Sequence, residues 1–149
     1  MPKIKLAEAI LQRSDIQKNL EQLKSRLNNN ALRQENIKTP EDPTNLLKEI
    51  NILYNQLELI INTINEANNQ TGLYKLLNKR DLLKSKLSAL RTFLEQLSSG
   101  VSRYTKTEIA ILPNYDSNKI QKEVDLLSKE FRLLDNQIQS QNWIIEVEI

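Results

Sequence analysis

Two arginines occupy positions where the surrounding pattern asks for an apolar side chain. Arg13 falls between Ala9 and Ile16, and Arg80 between Leu76 and Leu83, each within a run of Leu, Ile and Ala spaced by threes and fours. A charge in such a seam needs a partner, because an unpaired buried charge is very costly. Glu8, Asp15 and Asp81 lie nearby in sequence, and Asn65 and Asn68 precede the turn that leads to Arg80. The candidate polar layer is therefore Glu8, Arg13, Asn65, Asn68, Arg80 and Asp81. One reading is an anion or small-ligand pocket floored by Arg80. The plainer reading, favoured by the pattern, is a layer that fixes register and partner choice between helices.

Other chemistry finds less support. Lys75, Lys79, Arg80, Lys84, Lys86, Arg91, Arg103 and Lys106 make a basic face, with Tyr74 and Tyr104 as stacking groups for a nucleic acid. The net charge is only +2, however, and no nucleic-acid recognition motif accompanies these residues. Paired carboxylates can be sought in Glu146 with Glu148, or Asp116 with Glu108, but neither pair has metal-ligand spacing. The chain has no Cys and no His. Disulfides, thiolate nucleophiles, Cys-based metal sites and the usual general base are thereby excluded. The expectation is a protein that is not an enzyme and carries no cofactor or metal.

Few and long elements must position these residues, since two Gly and four Pro leave little turn chemistry. Aromatic content is 5%, so the core is aliphatic. A first helix, over about 3–35, carries Leu6, Ala9, Ile16, Leu20, Leu23 and Leu27 and fades through Asn28-Asn29-Asn30. Thr39-Pro40-Glu41-Asp42-Pro43 restarts the chain, with Asp42 as cap and Pro43 where its missing N–H costs nothing. A second helix, over about 43–69, aligns Leu46, Ile50, Leu53, Leu57, Ile60, Ile64 and Ala67. Leu47, Tyr54 and Ile61 widen that stripe on one side, and Ile52 and Leu59 on the other. Together they cover roughly 200° of the helix, about twice a one-sided stripe, so this helix needs more than one neighbour. Its Asn51, Asn55 and Asn62 give little support to a membrane-surface role.

The turn at 68–72 is short, so a third helix, over about 72–99, is expected to return antiparallel to the second. Its seam is Leu73, Leu76, Arg80, Leu83, Leu87, Leu90, Leu94 and Leu97. The period then changes. Residues 105–112 read as a strand, and a fourth helix over about 117–141, capped by Asp116 and Ser117, carries Ile120, Val124, Leu127, Phe131, Leu134 and Ile138. Trp143, Ile145, Val147 and Ile149 alternate with Glu146 and Glu148, which marks a half-buried strand over about 143–149. Strands need paired edges, so the two should pair with each other or between chains. The intervening helix, ~36 Å long, separates their ends, which favours pairing between chains. Trp143, Ile145, Val147 and Ile149 are thus candidates for self-association.

Charge alternates along the chain: +4 over 1–40, −4 over 41–71, +6 over 72–107 and −4 over 108–149. Antiparallel neighbours would favour that arrangement, though exposed ion pairs contribute only ~0–1 kcal/mol each. No apolar run approaches the ~18 residues of a membrane span, and Met1 to Leu6 shows no secretory signal. The expected address is the cytoplasm.

Several short stretches resemble a family of small bacterial coiled-coil proteins of unknown function, some labelled septicolysin. They are Lys5-Leu6-Ala7-Glu8-Ala9 with Arg13 and Asp15-Ile16-Gln17, Glu41-Asp42-Pro43, Ile64-Asn65 with Asn68, Arg80-Asp81, Arg103-Tyr104 with Glu108-Ile109, and Asn142-Trp143. The label suggests a cytolysin, but the chain shows no strand pair long enough to line a pore. What the resemblance implies is an assembly-type or unassigned role rather than catalysis, and a shared purpose for Glu8, Asn65, Asn68, Arg80 and Asp81. The expectation is one mainly α domain over 1–149, a bundle of four helices built around a long antiparallel hairpin, with two short strands near the C-terminus. Its function would be that of a self-associating homo-oligomeric scaffold, with a nucleic-acid binder or an anion-binding protein as alternatives.

Overall fold

A computed structural model describes residues 2–99 and 109–149. The fold is a mainly α helical bundle of four helices with two short strands. The order is β1 (Lys3–Lys5), α1 (Leu6–Asn29), α2 (Pro43–Thr71), α3 (Leu73–Ser99), α4 (Ser117–Ile144) and β2 (Glu146–Glu148). These residues form two compact units, one of residues 1–72 with 141–149 and one of residues 73–140.

In the first unit the seams of α1 and α2 close on each other. Leu20, Leu23, Leu46 and Ile50 are buried together, with Ile16, Leu27, Leu53 and Leu57 packed around them. The first helix ends earlier than the mid-30s. Asn is a poor helix former because its amide competes for backbone groups, and Asn30 does so here. Its Nδ2 donates to the Arg26 carbonyl at 2.7 Å, and its Oδ1 accepts from the Glu41 N–H at 3.2 Å. That buried side chain ties both ends of the connection together. The Thr39 hydroxyl donates to the Glu41 carbonyl at 2.7 Å. Asp42 then caps α2 by accepting from the Thr44 N–H at 3.0 Å, with Pro43 at the first helical position.

The C-terminal strand finds its partner within the chain, and the partner is not the segment expected. Residues 105–108 of that segment lie outside the described residues, and 109–112 carry no regular structure. Lys3–Lys5, read as the start of the first helix, is instead a strand antiparallel to β2, pairing Lys3 with Glu148, Ile4 with Val147 and Lys5 with Glu146. The Leu6 N–H extends the ladder to the Ile145 carbonyl at 2.8 Å. Val147 is buried and its face packs against α1 and α2, while Lys5 and Glu146 meet on the outer face at 3.1 Å. Opposite charges across an antiparallel pair favour this register. Trp143 belongs to the last turn of α4, which runs three residues beyond the expected end, so the strand begins only after Ile145.

Helix α2 likewise runs on through Thr71, and the expected turn contracts to Gly72. Gly72 has φ 74°, a left-handed conformation that caps a helix end and costs a Cβ-bearing residue. It is the last residue of the first unit's main segment, and α3 opens the second unit. Within the units the packed helix pairs are α1 with α2 and α3 with α4. Within the second unit Leu87, Leu97, Ile120 and Val124 form the buried cluster, bordered by Leu90, Leu94, Leu127 and Phe131. Asp116 caps α4 by accepting from the Asn118 N–H at 2.9 Å. The first pair joins a net basic helix to a net acidic one, whereas basic α3 meets in α4 a helix whose four cations and four carboxylates balance.

Candidate functional site

The charged chemistry of the second unit lies along the junction of α3 and α4. Lys79 reaches Glu130 at 3.6 Å, and Lys86 reaches Glu123 at 3.8 Å. One heptad forward on α3 is matched by one heptad back on α4, which is the signature of antiparallel packing. Arg80 donates from Nη1 to Asp135 Oδ1 at 2.8 Å, with both side chains only about a third exposed. The partner that the seam position demanded is thus Asp135, a residue outside the expected polar layer.

Of the other members of that layer, four belong to the first unit and one to the second. Glu8 and Asn65 are exposed, and Arg13 and Asn68 half-buried, in the first unit; Asp81 is exposed in the second. Among the described residues, none of these five makes a side-chain hydrogen bond or ion pair with another. Arg80 is a paired group inside the α3–α4 contact. The self-association candidates divide as well. Val147 is buried in its own chain and Ile145 half-buried, whereas Trp143 and Ile149 stay exposed.

A second pair of charges shapes the α1–α2 connection. Arg26 Nε donates to both carboxylate oxygens of Glu41 at 3.1 Å, and its Nη2 also reaches Oε1. That bonding holds the Glu41 carboxyl below its ordinary value and raises the Arg26 guanidinium. The pair is solvent-exposed and fastens the connection rather than forming a pocket.

Not all cations along α3 are matched. Lys84 and Arg91, one heptad apart, have no carboxylate partner among the described residues, and neither has Arg132 of α4. With Leu87, Ser128, Phe131 and Asp125 they line a groove of about 570 Å³. The sequence reading placed Lys84 and Arg91 in a basic face and Phe131 in a seam, but left Arg132 and Ser128 unnoticed. The available signal was the adjacency of Arg132 to Phe131, which puts a cation at the rim of whatever the ring floors. Among the described residues no group of His, Cys, Asp or Glu could hold a metal ion.

These features define a class: a small mainly α helical-bundle protein without a catalytic metal cluster among its described residues. The chain belongs to a family of unknown function (DUF6847), whose model matches residues 13–147. Among solved structures it is similar to the crystal structure of a functionally unknown conserved protein from Corynebacterium diphtheriae. The two are 33% identical with a TM-score of 0.91, over 99% of this chain and 100% of that one. No curated protein matches.

Proposed function

We propose that the protein is a non-catalytic helical scaffold that works by self-association. One observation carries this reading: α2 keeps apolar side chains in water on both flanks of a seam that is otherwise packed. Leu46, Ile50, Ile60 and Ile64 are buried, yet Ile52 is 56% and Leu59 68% exposed on one flank, and Leu47 and Tyr54 are exposed on the other. Ile52 and Leu59 stand one heptad apart, the spacing at which a second helix engages such a stripe. Exposed apolar residues repeated at heptad spacing support an interaction face. Trp143, Ile144 and Ile149 add exposed apolar area beside the two-stranded sheet.

The nucleic-acid reading has less to work with, because Lys79, Arg80 and Lys86 are already matched by Glu130, Asp135 and Glu123. Size-exclusion chromatography with light scattering tests the scaffold reading. The expected result is a mass that is a multiple of 17.3 kDa, reduced to the single-chain value by Ile52→Lys with Leu59→Lys. A wild-type chain that stays monomeric at high concentration would contradict it.

A further inference from the structure

The cations at the α3–α4 junction fall into two sets with different surroundings. Lys79, Arg80 and Lys86 face carboxylates across the junction. Lys84, Arg91 and Arg132 instead border one groove whose only acid among the described residues is Asp125. Asp125 is itself engaged, accepting from Gln121 Nε2 at 2.9 Å. Arg91 donates from Nη2 to the Ser128 hydroxyl at 3.1 Å, which holds its guanidinium over the groove while leaving its remaining N–H groups free for another acceptor. The floor is apolar, made by buried Leu87 and the half-buried ring of Phe131.

Like charges around one concavity repel each other and raise the local potential, and a bound anion relieves both effects. A guanidinium fork fits the paired oxygens of a carboxylate or phosphate. The volume, about 570 Å³, suits an organic molecule, for which such pockets typically span ~300–1,000 Å³. A bare inorganic anion would leave the apolar floor unused, and an apolar molecule would leave the three cations unanswered. We infer that the α3–α4 groove binds an organic anion, a molecule with an apolar body that lies on Leu87 and Phe131 and an acidic head held by Lys84, Arg91 and Arg132. The site needs only α3 and α4, so it stands independently of self-association through α2.

The test titrates the full-length chain with 8-anilino-1-naphthalenesulfonate, a fluorescent probe with an apolar body and one anionic group. Saturable binding that weakens with added salt is expected, with displacement by decanoate or decyl phosphate and none by decylamine. Whichever of decanoate and decyl phosphate competes at lower concentration identifies the head group as carboxylate or phosphate. Arg91→Gln with Arg132→Gln, both exposed positions, should weaken the probe about tenfold or more by removing charge-assisted hydrogen bonds. Lys79→Gln with Lys86→Gln, which removes as much positive charge from the junction, should leave it within about twofold, since those cations are answered elsewhere. Circular dichroism confirms that both variants fold. Equal loss in the two double variants, loss in neither, or displacement by an oligonucleotide but by neither amphiphile would overturn the assignment.

Discussion

Leu87→Ala is the perturbation whose cost follows most directly from the packing. Leu87 is 4% exposed and sits among Leu97, Ile120 and Val124. The change removes three carbons from that cluster, a transfer loss of ~2.4 kcal/mol at ~0.8 kcal/mol per buried methylene. Space that does not close adds ~24 cal/mol per Å³. A contact between two helices has open sides through which neighbours can settle inward, so the cavity contribution is small and the total should be ~2.5–3.5 kcal/mol. Leu126 is the control: it lies on α4 but is 67% exposed, and Leu126→Ala should fall within ~0.5 kcal/mol of wild type. Urea unfolding followed by circular dichroism reads both, with the denaturant slope as a check that the unfolded state is unchanged. Leu23→Ala, 5% exposed in the other cluster, should cost a similar amount. The two clusters share no residue, so the Leu23–Leu87 double variant should be additive within ~0.5 kcal/mol. Equal losses for Leu87→Ala and Leu126→Ala, or a Leu87→Ala cost below ~1 kcal/mol, would refute the seam reading.

Three further outcomes follow from single contacts. A double-mutant cycle on Arg80 and Asp135 should return a coupling of ~0.5–1.5 kcal/mol that shrinks in high salt, as befits a partly exposed ion pair; zero coupling would leave Arg80 without a structural role. The Glu41 carboxyl should titrate below the ordinary glutamate range by NMR, and Arg26→Ala should return it to that range. Because its folded value is depressed, its contribution is present above the unfolded pKa and lost as pH falls through the lowered folded value. Gly72→Ala meets no atom within 4 Å, so its cost is the backbone strain of a positive φ alone, ~1 kcal/mol; an unchanged melting temperature would mean that Gly72 does not hold that conformation.

The seams were legible because burial tracks the spacing of leucines. Leu46, Ile50, Ile60 and Ile64 of α2, Leu83 and Leu87 of α3, and Ile120, Val124, Leu134 and Ile138 of α4 are buried where the heptads put them. Pairing within each unit was less legible, because a leucine seam shows that a helix must pack without naming the helix it meets. Lys3-Ile4-Lys5 was hidden for another reason. Three residues show no period, and their strand state is imposed by Glu146-Val147-Glu148, 141 positions away from Lys5 to Glu146. The match of Lys-x-Lys to Glu-x-Glu was the one local hint. For the same reason the groove could not be seen: Arg91 meets Ser128 only through the tertiary register of α3 on α4.

Because the chain has no cysteine, Asn62→Cys offers a single labelling point on α2, exposed and one helical turn from Leu59. A spin label there, measured by double electron–electron resonance, reports only distances between copies. If exposed apolar flanks on α2 bring chains together, the trace will show a short, defined distance that vanishes in the background of Ile52→Lys with Leu59→Lys. A featureless decay from isolated labels, or a distance indifferent to those two substitutions, would contradict the account.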